Sequence, residues 1–125
     1  EVLDEDKKNQ YLRDASVYCS ASGDETFGMA AVEAASIGLP LALSDLPCYQ
    51  GIWQHGVNAL LSPGGAVDCL SWNLKALLND RALAHRISLA GRQTAARFTL
   101  DRFLRGMSDA LIQTIQDPLP RGAVI

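Results

Sequence analysis

The chain has 125 residues, a net charge of −3 and a hydrophobic content of 48%. This length fits one domain at most, and the composition is that of a folded protein rather than a disordered one. The acidic balance gives no electrostatic basis for binding nucleic acid, and no apolar run approaches the roughly 20 residues of a membrane span.

The first elements expected along the chain are a helix and a strand. Asp4 is a good N-cap for a helix that ends at about Asp14. Leu12 and Ala15 are separated by one helical turn, so both are expected to face inward. A strand is expected over residues 16–21, which contain valine, tyrosine and cysteine.

A loop, a second helix and a second strand follow. Residues 22–26 are polar and include a glycine, which predicts a loop. From about Phe27 the residues favour a helix, until Gly38 stops it and Pro40 forbids its continuation. Residues 39–44 are an apolar run too short for an independent helix, as expected of a buried strand in a parallel sheet. The three elements together predict a right-handed βαβ crossover.

The next part of the chain predicts a third strand and two more helices. Pro47 suits the first turn of a short helix, and a strand is expected over residues 58–62 before a turn at residues 63–65. Helices are expected over residues 66–78 and 81–98. Their inward positions are expected to be Val67, Leu70, Leu74 and Leu77 in the first and Leu83, Ile87 and Ala90 in the second.

A last helix is expected after Thr99, which can cap it, and Asp117-Pro118 is expected to end it. Its apolar stripe consists of Phe103, Leu104, Met107, Leu111 and Ile115. We expect part of this stripe to be exposed.

The loop before the second helix is the expected ligand site, because open α/β sheets bind ligands at the carboxyl ends of their strands. The helix directs free N–H groups and its positive dipole end into the same crevice, so a phosphate would find donors near Phe27, Gly28 and Met29. Glu25 precedes this helix and Glu33 lies within it, where carboxylates can accept hydrogen bonds from sugar hydroxyls on both sides of the phosphates. On spacing alone, the simpler interpretation is that Glu25 is an acidic residue near the helix N-terminus and that Glu33 is a solvent-exposed helix residue.

Other polar residues suggest structural roles. Lys7 and Lys8 are expected on a solvated face, and His55 precedes a glycine, as a turn residue does more often than a catalytic base. No cluster of metal ligands is visible in the sequence.

The segment Glu25-Thr-Phe-Gly-Met-Ala-Ala-Val-Glu33 resembles the E-x7-E signature of retaining GT-B glycosyltransferases, most closely those of glycosyltransferase family 4. Residues 14–17, 33–40 and 55–64 also resemble segments of this family, in the same order and at the same intervals. The resemblance covers nearly the whole chain.

The resemblance implies an α/β fold, a partial Rossmann-like parallel sheet with flanking helices. Residues 1–125 are then a single partial domain, the C-terminal donor-binding part of a GT-B enzyme whose N-terminal acceptor domain lies outside this chain. The implied reaction moves a sugar from a nucleotide diphosphate to an acceptor hydroxyl with retention, without a metal or another cofactor. The chain alone is therefore expected to be inactive.

Roles for single residues also follow from the resemblance. It implies that Glu25 is catalytic and contacts donor-sugar hydroxyls beside the reacting carbon, while Glu33 binds the nucleotide ribose. Phe27, Gly28 and Met29 complete the donor-binding set, the last two through their backbone N–H groups.

The chain departs from the family pattern at two places. Ala21 stands where the family has a proline, and Gln50 and Gly51 stand where it usually has a glutamate. If that glutamate contacts the donor, donor affinity or sugar preference is expected to differ. The alternatives are a non-catalytic remnant that binds a nucleotide or a protein partner, and an epimerase that uses nucleotide sugars. The intact pair Glu25 and Glu33 argues against the remnant, and the residues of the phosphate loop argue against the epimerase.

The cysteines bear on the compartment. Cys19, Cys48 and Cys69 are an odd number without a CxxC spacing, which predicts buried free thiols in a reducing environment. We therefore expect a cytoplasmic protein, with peripheral attachment to a membrane as the alternative.

Overall fold

A computed structural model describes residues 4–116. Helices and strands alternate along most of this range, which is typical of α/β proteins. The elements are α1 (Glu5–Asp14), β1 (Tyr18–Ser20), α2 (Met29–Ser36), β2 (Leu41–Ser44), a short 3-10 helix (Pro47–Tyr49), β3 (Leu60–Ser62), α3 (Val67–Asn79), α4 (Arg81–Ala95) and α5 (Leu100–Gln116).

The three strands form one parallel sheet in the order β1-β2-β3. In the central strand, Leu41 lies beside Tyr18 of β1 and Ala42 lies beside Leu60 of β3. All residues of β2 are buried, because helices cover both faces of the strand, and this explains its continuous apolar run. The predicted fold class, a partial parallel sheet with flanking helices, is confirmed.

Two hydrophobic clusters hold the sheet between its helices. Leu41 and Leu43 point from one face of β2 into the cluster that contains α2 and Ala95 of α4. Ala42 points from the opposite face into the cluster that contains Leu77 of α3 and Ile87 of α4. Successive side chains of a strand alternate between its faces, so this short strand joins both clusters.

The strands are shorter than predicted. Pro40 has no N–H group to donate to a ladder, so pairing starts at Leu41, which fixes Tyr18 as the first paired residue of β1. The third strand begins at Leu60 because the backbone N–H of Asn58 donates to Gln54 in a turn instead of a ladder.

Helix ends also differ from the predictions. The second helix begins at Met29 rather than Phe27, because Gly28 takes the N-cap position with a left-handed backbone at φ +78°. The fourth helix ends at Ala95 rather than Phe98, and the ring of Phe98 packs edge-on against Phe27 at a centroid distance of 5.4 Å.

Three predictions of burial were wrong. Ala15 is exposed because it is the C-cap of α1, where the chain has already left the helix. Val67 is 74% exposed at the first position of α3, whereas Leu77 further along the same helix is buried. Cys19 is exposed because β1 is the outer strand and Cys19 faces away from Tyr18 and Ser20, so the predicted buried thiol is absent there.

The last described helix, α5, shows exposed apolar side chains. Leu104, Met107 and Leu111 are each exposed by about half of their surface, as the sequence predicted. The side chains of Phe103 and Ile115 and the predicted helix end at residues 117–118 lie outside the described residues. Within the described range, every helix is too short or too polar to cross a membrane.

Candidate nucleotide-sugar site

The start of α2 presents unpaired backbone donors. The carbonyl of Gly28 accepts from the N–H groups of Ala31 and Val32 at 3.1 and 3.4 Å, which anchors the first turn. Gly28 has no side chain to cap the helix, and the N–H groups of Met29 and Ala30 have no acceptor among the described residues. The positive end of the helix dipole and these two donors therefore face outward together.

Gly28 is required here for two reasons. Its φ of +78° lies in the left-handed region that side chains disfavour. In addition, a Cβ at this position would lie 2.9 Å from the hydroxyl oxygen of Tyr49 and 3.1 Å from its Cζ, closer than ordinary contacts allow. The loop and the ring of Tyr49 thus fit together only because residue 28 lacks a side chain.

The two glutamates approach a common neighbour. Glu25 is half-buried in the loop, and Glu33 lies one turn inside α2 with its side chain 43% exposed. Burial first, and then the charge of Glu25, raises the pKa of Tyr18, and Glu33 adds to the effect from the helix. The phenol of Tyr18 therefore lies within electrostatic range of both carboxylates.

Lys8 reaches this site from α1, a contact that the sequence did not predict, although α1 buries none of its residues and its lysines lie on a solvated face as expected. Its Nζ lies 3.2 Å from Oε2 of Glu33 and 2.8 Å from Oε2 of Glu5. Hydrogen bonds to these carboxylates raise the pKa of Lys8, so the ammonium stays charged at neutral pH. The ion pair orients the carboxylate of Glu33 and partly offsets the negative charge beside the expected phosphates.

Phe27 and Met29 occupy different surroundings. Phe27 is half-buried against Phe98, so its ring has a packing role and fixes the loop before α2. Met29 is exposed and lines a surface cavity of about 310 Å³ together with Glu33 and Arg92. This cavity does not include Glu25 or Gly28. The residues predicted to bind the donor are therefore divided between the cavity beside α2 and the loop before that helix.

Tyr49 belongs to the site but was not predicted from the sequence. It is 2% exposed, and burial, followed by the charge of Glu25, raises its pKa to about 12. Its position after a proline in a short helix gives no functional signal, because the contact with Gly28 joins segments that are distant in sequence.

His55 has the structural role that the sequence favoured. Its Nδ1 accepts a hydrogen bond from the backbone N–H of Leu61 at 3.0 Å, which occupies one ring nitrogen. The loop that contains it is closed by Asn58, whose side chain accepts from the N–H of Gln54 at 2.6 Å and donates to the carbonyl of Ile52 at 2.9 Å.

The arrangement suits a ligand that carries both phosphates and hydroxyl groups. Backbone donors at a helix start bind phosphate oxygens, and carboxylates accept hydrogen bonds from hydroxyl groups. Within residues 4–116, His, Cys, Asp and Glu form no group of three that could hold a metal ion.

Two curated relatives are similar to this chain in sequence. It is 34% identical over 97 residues to the phosphatidyl-myo-inositol mannosyltransferase of Mycobacterium leprae, a match that covers 77% of this chain and 26% of that protein. It is 32% identical over 88 residues to the D-inositol 3-phosphate glycosyltransferase of Kribbella flavida, which covers 70% of this chain and 21% of that protein. The chain spans no more than 26% of the length of either relative.

Two solved structures share the fold. Sucrose-phosphate synthase from Thermosynechococcus elongatus has a TM-score of 0.81 at 25% identity, over 91% of this chain and 29% of that one. Alr3699/HepE of Anabaena, solved in complex with UDP and glucose, has a TM-score of 0.77 at 22% identity, over 83% of this chain and 29% of that one. A family model described as glycosyl transferases group 1 matches residues 2–94. Because this match spans most of the chain, the protein belongs to the glycosyl transferases group 1 family.

Proposed function

We propose that this chain is the donor-binding part of a retaining glycosyltransferase of the family 4 type, which moves a sugar from a nucleotide diphosphate to an acceptor hydroxyl. The observation that carries the proposal is the start of α2, where the unpaired N–H groups of Met29 and Ala30 lie between Glu25 and Glu33. The relatives named above are glycosyl-transferring enzymes, and a protein of the same fold was solved with UDP and glucose.

The backbone donors stabilise the leaving diphosphate. Charge develops on the diphosphate as the bond to the sugar breaks, and preorganised N–H groups at a helix start stabilise such charge without reorganising. This role is filled by a divalent ion in other enzymes. We therefore propose that donor binding by this chain needs no metal, and that EDTA leaves its affinity for UDP unchanged.

Glu33 binds the ribose of the donor. Lys8 occupies Oε2 of this carboxylate at 3.2 Å, and Oε1 has no partner among the described residues. A carboxylate has about four acceptor sites, so the ribose hydroxyls and Lys8 can be bound at once. Lys8 then holds the carboxylate in place before the donor arrives.

Glu25 contacts the transferred sugar beside the reacting carbon and acts as the catalytic residue. It lies in the loop before α2, whereas Glu33 lies inside the helix, and its charge acts on the buried phenol of Tyr49. Phe27 positions this loop through its contact with Phe98.

The remaining parts of the enzyme lie elsewhere. Residues 1–125 are proposed to form part of the C-terminal domain, with the acceptor bound by an N-terminal domain, so this chain alone binds the donor but does not transfer sugar. The free thiols support a reducing compartment, and we propose that the enzyme is cytoplasmic. Cell fractionation tests this proposal, and recovery in the membrane fraction would indicate peripheral attachment instead.

The two glutamates give the sharpest test of this function. Isothermal titration of UDP and UDP-glucose, with GDP and GDP-mannose as a second pair, compares Glu25→Gln and Glu33→Gln in the full chain. Glu33→Gln should weaken the free nucleotide and the nucleotide sugar alike, whereas Glu25→Gln should weaken only the nucleotide sugar. Each loss should be about 1.5–3 kcal/mol, the usual contribution of a hydrogen bond to a charged group.

Glu5→Gln is the matched control, because Glu5 shares Lys8 with Glu33 but its own side chain is 80% exposed on α1. It should bind all four ligands like the parent. Equal losses of free nucleotide in Glu25→Gln and Glu33→Gln would contradict the division of roles, and no binding of either pair by the parent chain would contradict donor binding itself.

A further inference from the structure

Tyr49 stands in an unusual position for a buried tyrosine. It ends the short 3-10 helix after β2, and its ring lies against the N-cap of α2. The hydroxyl oxygen is 2.9 Å from the point where Gly28 would carry a Cβ, so the polar end of the side chain, and not only its ring, lies at the start of the helix. The residue as a whole is 2% exposed.

The hydroxyl has no hydrogen-bond partner among the described residues. The buried side-chain amides in the same range are paired: Asn58 bonds to Gln54, Ile52 and Thr94, and Asn73 bonds to Leu61 and Ser62. The one described side-chain atom that is both fully enclosed and unpaired is the indole nitrogen of Trp53. The unpaired Tyr49 hydroxyl therefore still reaches the surface, at the edge of the loop that contains Gly28.

We infer that the hydroxyl of Tyr49 donates a hydrogen bond to a phosphate oxygen of the nucleotide bound at the start of α2. The inference rests on the proposed function, because it names a further ligand-binding group at the same site. The unpaired hydroxyl lies at the N-cap of α2 and adds a third donor to the two unpaired backbone N–H groups of the same helix start, and phosphate oxygens are acceptors only.

The chemistry of the phenol suits this role. Burial and the nearby charge of Glu25 raise its pKa to about 12, so it remains a neutral donor at physiological pH.

The test removes the hydroxyl and keeps the ring. Tyr49→Phe preserves the packing against Gly28, and Tyr11→Phe, which removes an exposed hydroxyl from α1, is the matched control. Isothermal titration with pyrophosphate, UDP and uridine should show that Tyr49→Phe weakens pyrophosphate and UDP by about tenfold to hundredfold, the effect of losing one hydrogen bond to a charged group. Uridine binding should be unchanged, and Tyr11→Phe should bind all three like the parent.

A second measurement needs no variant. With ¹³C-labelled tyrosine in the full chain, the Cζ resonance of Tyr49 should shift when pyrophosphate is added, and that of Tyr11 should stay in place. Unchanged pyrophosphate affinity in Tyr49→Phe, or an unmoved Tyr49 resonance in a parent chain that binds pyrophosphate, overturns the inference and leaves the proposed function standing. Absence of UDP and pyrophosphate binding by the parent overturns both.

Discussion

Replacing Gly28 by alanine should destabilise the chain more than a typical glycine replacement in a turn. The left-handed backbone at φ +78° costs an L-residue roughly 1–2 kcal/mol. The new methyl group would also meet the ring of Tyr49, whose Oη and Cζ lie 2.9 and 3.1 Å from the Cβ position. Overpacking of this kind typically costs about 1–3 kcal/mol, so the total loss should be about 2–5 kcal/mol.

Gly51→Ala separates the two contributions. Gly51 has nearly the same backbone conformation, φ +77°, but nothing lies within 4 Å of its Cβ position. Both substitutions reduce the conformational entropy of the unfolded chain by a similar amount, so this contribution cancels when the two losses of stability are compared. Gly51→Ala should therefore lose only the conformational part, about 1–2 kcal/mol.

Urea unfolding followed by circular dichroism measures both losses as shifts of the midpoint at constant slope. Gly28→Ala combined with Tyr49→Leu, which shortens the opposing side chain, should recover part of the excess loss as a coupling energy. Equal losses in Gly28→Ala and Gly51→Ala would refute the contact between Gly28 and Tyr49, on which the geometry of the site depends.

Three further predictions concern stability and association. Asn58→Ala should cost about 2–4 kcal/mol in urea unfolding, because it leaves the N–H of Gln54 and the carbonyl of Ile52 unpaired; a loss under 1 kcal/mol would contradict the bonds described. The neutral phenol of Tyr49 stabilises the fold fully below pH 10, and this contribution is lost as the pH rises through about 12, because burial raises the pKa of Tyr49 in the folded state. The free energy of unfolding of Tyr49→Phe should therefore fall less steeply over this pH range than that of the parent, and equal slopes would contradict the burial of the phenol. The exposed stripe of α5, with Leu104 and Leu111, should cause association at high concentration, measured by light scattering, and Leu111→Lys should reduce it; a parent chain that stays monomeric would count against an uncovered stripe.

Local patterns were sufficient for most of the fold. The apolar run before Ser44, the glycine and proline after α2 and the periodic leucines of α3 are short-range signals, and the structure confirms the strand and the helices they predict. The wrong predictions concern burial at the ends of elements. Ala15 and Val67 have the spacing of inward residues, but whether such a position is covered depends on a neighbouring element that periodicity does not specify.

The site was predictable only where it lies within one segment. Glu25 and Glu33 belong to one loop and the helix that follows it, so their spacing carries the signal. Lys8 and Tyr49 come from α1 and from the turn after β2, and only tertiary packing brings them to α2. A lysine on a polar helix and a tyrosine after a proline look like ordinary surface and core residues when the sequence is considered alone.

The central claim is that a nucleotide diphosphate binds at the start of α2. The most direct measurement is an NMR titration of the ¹⁵N-labelled chain with UDP, which follows every backbone amide at once. We predict that the largest shifts occur at the amides of Met29 and Ala30, which have no acceptor among the described residues, and extend to Glu25 and Glu33. Shifts centred elsewhere, such as on the exposed face of α3 around Trp72, or no shifts at all, would contradict the claim.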